Sequence, residues 1–154
     1  MHLVNALLAL TATSCSSVFG AAISLRSSDC HQNHFPGPIN PSFETGTLDG
    51  WTVVSGNAFG NASLSSATSY LGGPFNQVGR YFLWGLTQSG ESATGWLQSS
   101  TFKASSVMSF LVSGGMDSAN LYIGLVTESD GKLVLSQTGM NDEAFVRIVW
   151  DTSK

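Results

Sequence analysis

The feature that most constrains this chain is the pattern after Pro41, where short apolar segments alternate with groups of Gly, Ser, Asn and Asp. The segments are rich in β-branched and aromatic side chains, which is typical of strands joined by tight turns. Helical periodicity is nearly absent from this part of the chain. We therefore predict an all-β fold. The predicted strands are residues 50–54, 58–64, 80–84, 95–99, 107–113, 121–128, 132–137 and 144–150.

The clearest predicted hairpin joins the sixth and seventh of these strands. In the first of the two, Leu121, Ile123 and Leu125 share one face, because successive side chains of a strand point to opposite sides. Asp130-Gly131 supplies the turn, since this pair accepts the positive φ angles that tight hairpins need. Eight short strands without helices predict two packed antiparallel sheets, a jelly-roll type of β-sandwich.

The N-terminus has the character of a targeting segment. Residues 3–10 are an apolar run that is too short to cross a bilayer but fits the core of a secretory signal. Small residues around Gly20 and Ala21 fit a cleavage site. We predict a signal peptide over residues 1–21, an extracellular protein and no membrane partner. A buried N-terminal helix is the alternative interpretation.

The remaining chain divides into an arm and one domain. Residues 22–41 contain three prolines and no periodic apolar pattern, which predicts an extended arm or linker. Residues 42–154 are enough for a single β-sandwich module. The sequence ends directly after the last apolar strand, so we expect the module to be incomplete at its C-terminus.

Charge and cysteine content exclude several classes of protein. The net charge is −4, and the six Lys and Arg residues are scattered, which argues against a nucleic-acid partner. Cys15 falls in the predicted signal peptide, so Cys30 is left without an intramolecular disulfide partner. Asn61-Ala62-Ser63 is a sequon, and it predicts a surface segment and a glycoprotein.

The acidic residues and histidines of this sequence do not occur at positions that predict an active site. Glycoside hydrolysis needs two facing carboxylates, whereas most acidic residues here fall in predicted turns or at strand ends. The three histidines lie in the predicted signal peptide or arm, and no Gly-rich loop opens a helix. We predict no enzyme, no cofactor and no catalytic or metal-binding residues. The carboxylates considered were Glu44, Asp49, Asp117, Asp142, Glu143 and Asp151, and the metal ligands considered were His31 and His34 beside Cys30.

Sugar binding needs only an aromatic face and a few planar polar groups. The ligand-binding residues predicted from the sequence are Trp84, Glu143, Arg147, Trp150 and Asp151. Trp51 and Trp96 are further aromatic donors of such a site. For every tryptophan, burial in the core is the alternative. For Arg147, the alternative is a salt bridge to Glu143 or Asp151.

An ordered set of motifs extends over residues 40–151. It resembles the accessory β-sandwich module attached to β-fructosidases of glycoside hydrolase family 32, the levanases and inulinases. Its opening alone also resembles galactose-binding-like sandwich domains. The motifs are NPSFETGTLDGW from residue 40, RYFLWG from 80, SATGWLQSSTF from 92, SFLVSGG from 109, LYIGLV from 121 and VRIVWD from 146.

This resemblance implies a non-catalytic module cut off before its last strands. The family's Asn-Asp-Pro and Glu-Cys catalytic motifs do not occur here, and neither does its catalytic domain. Related modules often hold calcium near the positions of Glu44 and Asp151, but without the closing strand we expect no complete site. The implied partners are a fructan or another glycan, bound weakly, or a catalytic domain. The alternatives are a structural fragment that only packs on that domain and a secreted protein-binding sandwich.

Overall fold

The computed structural model describes residues 37–86 and 90–153. The predicted signal peptide and most of the predicted arm, with Cys15, Cys30, His31 and His34, lie outside the described residues. In the described part, no helix is long and apolar enough to span a bilayer. The prediction of an all-β chain is confirmed. The strands are β1 Trp51–Gly56, β2 Leu64–Ser65, β3 Ser69–Tyr70, β4 Gly73–Pro74, β5 Phe82–Leu83, β6 Gly95–Ser99, β7 Val107–Gly114, β8 Ile123–Val126, β9 Leu133–Gln137 and β10 Asp142–Asp151.

These strands form antiparallel pairs rather than broad sheets. β1 pairs with β6, β2 with β5, β3 with β4, β7 with β10 and β8 with β9. The β7–β10 ladder is the longest and runs from Val107 opposite Asp151 to Gly114 opposite Asp142. A backbone hydrogen bond of 2.7 Å from the Phe145 amide to the Phe75 carbonyl ties β10 to the segment after β4.

The central residues of strand β7 are buried on both of its faces. Leu111 belongs to the first core cluster, which gathers side chains from most of the chain. Phe110 and Val112 point to the opposite face and belong to the second core cluster with Trp150. The buried members of the first core cluster are Phe43, Ala58, Phe59, Phe75, Phe82, Leu83, Ala93, Leu111 and Phe145.

The second core cluster is covered by the β8–β9 hairpin. Ile123, Leu125 and Leu135 pack against it, which confirms the shared inward face for Ile123 and Leu125. Leu121 is buried, but it precedes β8 and is not among the residues of this cluster. The predicted turn is also confirmed, with Gly131 at a φ of 65°. The Asp130 carboxylate accepts hydrogen bonds from the Thr127 hydroxyl and from the Lys132 amide. These bonds fix the register of the hairpin that closes this face.

The NPSFETGTLDGW motif forms a loop that fastens the N-terminal end of the described chain to the core. Phe43 is fully buried although its φ is 60°, a left-handed conformation that costs a non-glycine residue about 1–2 kcal/mol. Its ring lies 4.9 Å from that of Trp51, whose indole N–H donates to the Asn40 carbonyl at 3.1 Å. The Asn40 side chain donates to the Thr47 carbonyl. Burial of Phe43 offsets the backbone strain.

The predicted strand over residues 58–64 is wrong for most of its length. Residues Asn61–Ser63 form a 3-10 turn, and only Leu64 of the predicted strand lies in β2. The buried Ser63 hydroxyl donates to the Ala58 carbonyl and accepts from the Gly60 amide. Such local side-chain bonds satisfy backbone groups that a strand would otherwise pair across a ladder.

The β3–β4 hairpin was not predicted from the sequence. Its tip is Leu71-Gly72, with φ angles of 50° and 85°, as in the tight turns that join antiparallel strands. Leucine is an unusual residue at the first of these positions, and Pro74 weakens the strand signal that follows. The hairpin therefore lacks the usual turn residues, and its strands of two residues each are too short to show an alternating apolar pattern.

Two substitutions on β7 test the burial of its face in the second core cluster. We expect Phe110→Ala to lower the free energy of unfolding by about 3–5 kcal/mol, because it removes a fully buried ring from the second core cluster. Val107→Ala, on the same strand but 57% exposed, is expected to change it by less than about 0.5 kcal/mol. Urea unfolding followed by tryptophan fluorescence measures both values. Similar losses for the two variants would contradict this arrangement.

Candidate functional site

The outer face of the β1–β6 pair carries the most accessible aromatic side chain suited to stacking. Trp96 lies opposite Ser55, and Gln98 lies opposite Thr52. Paired residues of a ladder project to the same side, so these four side chains share one face. All four are exposed. The intervening Leu97 points the other way and packs on the first core cluster.

Trp96 differs from the other three tryptophans of the sequence, all of which lie in the described part. Its side chain is 56% exposed, whereas Trp150 is 9% exposed. Trp51 and Trp84 are partly buried against the core. The alternative of core burial therefore applies to those three, and Trp96 is the tryptophan that presents its ring to solvent.

The chemistry of this face is neutral and mixed. Neither β1 nor β6 contains an ionisable residue, as their sequences WTVVSG and GWLQS show. An exposed indole offers a flat apolar surface, and the neighbouring amide and hydroxyl groups donate and accept hydrogen bonds. Such a face suits a ligand that combines apolar ring carbons with uncharged hydroxyls.

The two tryptophans predicted from the sequence are not available for stacking in the same way. Trp150 is buried edge-to-face against Phe110, with ring centroids 4.6 Å apart. The ring of Trp84 contacts Tyr70 and Phe75 at centroid distances of 5.3 and 5.4 Å. Trp150 is buried in the second core cluster, which is the alternative considered for every tryptophan, and its ligand-binding role stays a prediction.

The polar residues predicted for the site do not assemble around Trp150. Arg147 is exposed on β10 and donates to the Ser109 hydroxyl at 3.3 Å. Arg147 and Asp151 alternate with Trp150 along the strand, so they project from the opposite face. Glu143 is half-buried near the start of β10. The five predicted residues therefore do not form one site, and the ligand-binding role of the polar ones stays a prediction.

Several of the carboxylates considered for catalysis are engaged in local hydrogen bonds. The Asn120 side chain and the Ala119 and Asn120 amides hold the pKa of Asp117 below its ordinary value. Hydrogen bonds from the Ser153 hydroxyl and amide lower the pKa of Asp151 in the same way. Because their pKa values are lowered, both carboxyl groups are ionised at neutral pH. An ionised carboxylate can accept hydrogen bonds in a turn but cannot donate a proton.

Glu44 is held by a loop distant in sequence. Its carboxylate accepts hydrogen bonds from the Arg80 amide at 2.9 and 3.0 Å and from the Tyr81 amide at 3.0 Å. Gly79 has a φ of 86°, and a Cβ atom there would lie 2.3 Å from a Glu44 oxygen. Glycine at this position lets the backbone close around the carboxylate. Glu44 therefore cross-links the opening motif to the start of β5.

A shallow concavity of about 290 Å³ lies beside the end of β10. Its lining is mostly apolar, and Asp151 is the ionisable residue among the residues that line it. Asp151 is thus the one predicted site residue that borders this concavity. The lining residues are Ala104, Leu125, Val134, Leu135, Asp151 and Thr152.

The structure also bears on the predicted sequon at Asn61 and on the placement of residues that could bind a metal. Asn61 is exposed in the 3-10 turn, as expected for a surface sequon, and its glycosylation stays a prediction. Among residues 37–86 and 90–153, no group of three His, Cys, Asp or Glu side chains is placed to hold a metal ion.

Comparison of the chain with protein-family models, curated proteins and solved structures found no match.

The exposed position of Trp96 had a usable sequence signal. In the stretch GWLQS, Leu97 is the only aliphatic residue, so a period-two pattern places it inward and Trp96 outward. The size of the indole favoured core burial instead. Trp96 points outward because Leu97, the next residue of β6, packs on the first core cluster.

The depressed carboxylate pKa values predict an acid-sensitive fold. Groups with a lowered folded-state pKa add stability above the unfolded value of about 4, and this stability is lost as pH falls through the folded value. We therefore expect the urea midpoint to fall between pH 4 and pH 2. Asp117→Asn should lower the midpoint at pH 7 and reduce the acid-induced drop.

Asp49→Asn is the matched control for this experiment. Within the described residues, the Asp49 carboxylate accepts no hydrogen bond, so the substitution should leave the acid-induced drop intact. An Asp117→Asn variant with the full wild-type drop would contradict the role given to its hydrogen bonds.

Proposed function

We propose that this chain is a secreted, non-catalytic β-sandwich module that binds a neutral glycan through Trp96. In this proposal the module is of the kind attached to family 32 fructosidases, and a fructan is the first ligand to test. The observation that carries the proposal is the 56% exposure of Trp96 on a face without ionisable side chains. Stacking on sugar rings is a role that an exposed indole performs well.

The sandwich arrangement is part of the proposal. It is supported by the β7–β10 ladder, which has core residues on both faces, and by the separate strand pairs that pack against each face. Face-to-face packing of antiparallel strands produces such alternating burial. In a sandwich of this kind, the outer face of β1–β6 is free to meet a ligand.

The proposal that the chain is non-catalytic is based on the hydrogen bonds and pKa values of its carboxylates. A glycosidase needs one carboxyl group with a raised pKa to protonate the leaving group. Here the pKa values of Asp117 and Asp151 are lowered, and the Glu44 carboxylate is occupied by the backbone amides of Arg80 and Tyr81. These interactions favour structural roles for the three acids.

Secretion is proposed from the apolar segment at residues 3–10 and from the sequon. Asn61 is exposed in a short turn, where an attached glycan would extend into solvent. The low share of charged residues also fits an extracellular β-protein. The apolar segment and the sequon therefore support secretion independently, since they lie in separate parts of the chain.

Packing against a catalytic domain or another protein is the second candidate function. It is favoured by two exposed apolar side chains on one face of the β7–β10 ladder, Val107 at 57% and Val149 at 62%. Arg147 and Asp151 lie on the same face. Apolar groups mixed with charges are typical of surfaces that meet other proteins.

Affinity electrophoresis tests glycan binding directly. The full chain is expected to be retarded in a gel that contains at least one of four polysaccharides: levan, inulin, hydroxyethylcellulose or xylan. In that gel, Trp96→Ala is expected to weaken the apparent affinity at least about tenfold. The reason is that the substitution removes the stacking surface and leaves the core intact.

Tyr122→Ala is the matched control, because Tyr122 is an exposed aromatic residue at 42% outside the β1–β6 pair. It should bind as the wild type does. A folded wild-type protein that passes unretarded through all four gels would contradict glycan binding and favour the packing role.

A further inference from the structure

The side chains around Trp96 follow the direction of the strand. Gln98 lies two residues along β6, about 7 Å from Trp96, because a strand rises about 3.4 Å per residue. Thr52 stands beside Gln98 on the paired strand, at a cross-strand separation of about 5 Å. The face therefore has an aromatic position followed by a hydrogen-bonding position.

At the opposite end of this row, the last described pair of the ladder is formed by two glycines. Gly56 pairs with Gly95, so neither strand carries a side chain at this pair next to Trp96. Gly56 has a φ of 79°, and a Cβ atom there would lie 2.1 Å from the Thr94 carbonyl. This position is therefore restricted to glycine, so β1 carries no side chain at this end of the row.

The openness of the face decides which part of a glycan it can bind. Small-ligand sites enclose most of the ligand surface in a cleft. Thr52, Ser55, Trp96 and Gln98 are instead all exposed, so they contact a ligand from one side only. Such a surface cannot surround the end of a chain, but it can support a segment whose sugars continue at both ends.

We propose that the row Trp96, Gln98 and Thr52 binds internal segments of a neutral polysaccharide that lies along β6. One sugar ring stacks on Trp96, and the next receives hydrogen bonds from the Gln98 amide and the Thr52 hydroxyl. The absence of ionisable residues on β1 and β6 matches an uncharged chain and disfavours acidic glycans or nucleic acids. This inference rests on the proposed glycan binding and specifies its geometry.

Competition in affinity gels tests the internal-segment geometry. The full chain is run in levan and in hydroxyethylcellulose, with added fructose or glucose, or with levan and cellulose oligosaccharides of four to six sugars. We expect the oligosaccharides to release the protein at concentrations at least about tenfold lower than the monosaccharides, since only they fill both positions.

Two variants test the second position. Gln98→Ala and Thr52→Val should each weaken retention about two- to tenfold without altering the fold, because each removes a neutral hydrogen-bonding group. Ser136→Ala is the control, an exposed serine on β9. Circular dichroism and urea midpoints establish that all three variants fold.

The outcomes separate this inference from the proposed function. Retention that monosaccharides abolish as readily as oligosaccharides, or that Gln98→Ala and Thr52→Val leave unchanged, would overturn the internal-segment geometry while glycan binding stands. Retention that Trp96→Ala also leaves unchanged, or no retention of the wild type, would overturn glycan binding itself.

Discussion

The burial of β7 on both faces is the constraint on which the rest of the structure depends. Phe110 and Val112 enter one core cluster, and Leu111 enters the other. Because neighbouring positions of β7 enter opposite clusters, the central residues of this strand contact a core cluster on each face. The β8–β9 hairpin covers the face of Phe110 and Val112, whereas on the other face Leu111 is buried and Val107 and Val149 are exposed.

This arrangement determines which polar and aromatic groups reach the surface. Once Leu97 packs inward on the first core cluster, Trp96 and Gln98 must project outward from β6. The same alternation turns Trp150 inward on β10 while Arg147 projects from the opposite face. The proposed glycan-binding face is therefore a consequence of how the core is filled, and it needs no special loop to form.

The sequence predicts the fold class well because strand alternation is a local property. Strands β6 and β10, and the hairpin turn at Gly131, follow directly from apolar periodicity and turn chemistry. The turn stabilised by Ser63 and the hairpin tip at Leu71 could not be predicted, since they depend on side-chain hydrogen bonds and on an unusual residue at positive φ. The exposure of individual tryptophans could not be predicted in the same way, because residue type alone does not say which face of a strand meets the core.

Of the four tryptophans, Trp96 is 56% exposed and Trp150 is buried, whereas Trp51 and Trp84 are partly buried against the core. Two-dimensional ¹⁵N–¹H spectra resolve the indole N–H of each of the four tryptophans, and single substitutions assign them. On titration with levan or cellulose oligosaccharides, we expect a progressive shift of the Trp96 resonance and stationary Trp51 and Trp150 resonances, as the proposed role of Trp96 requires. A titration that moves Trp150 or Trp84 and leaves Trp96 in place would contradict it.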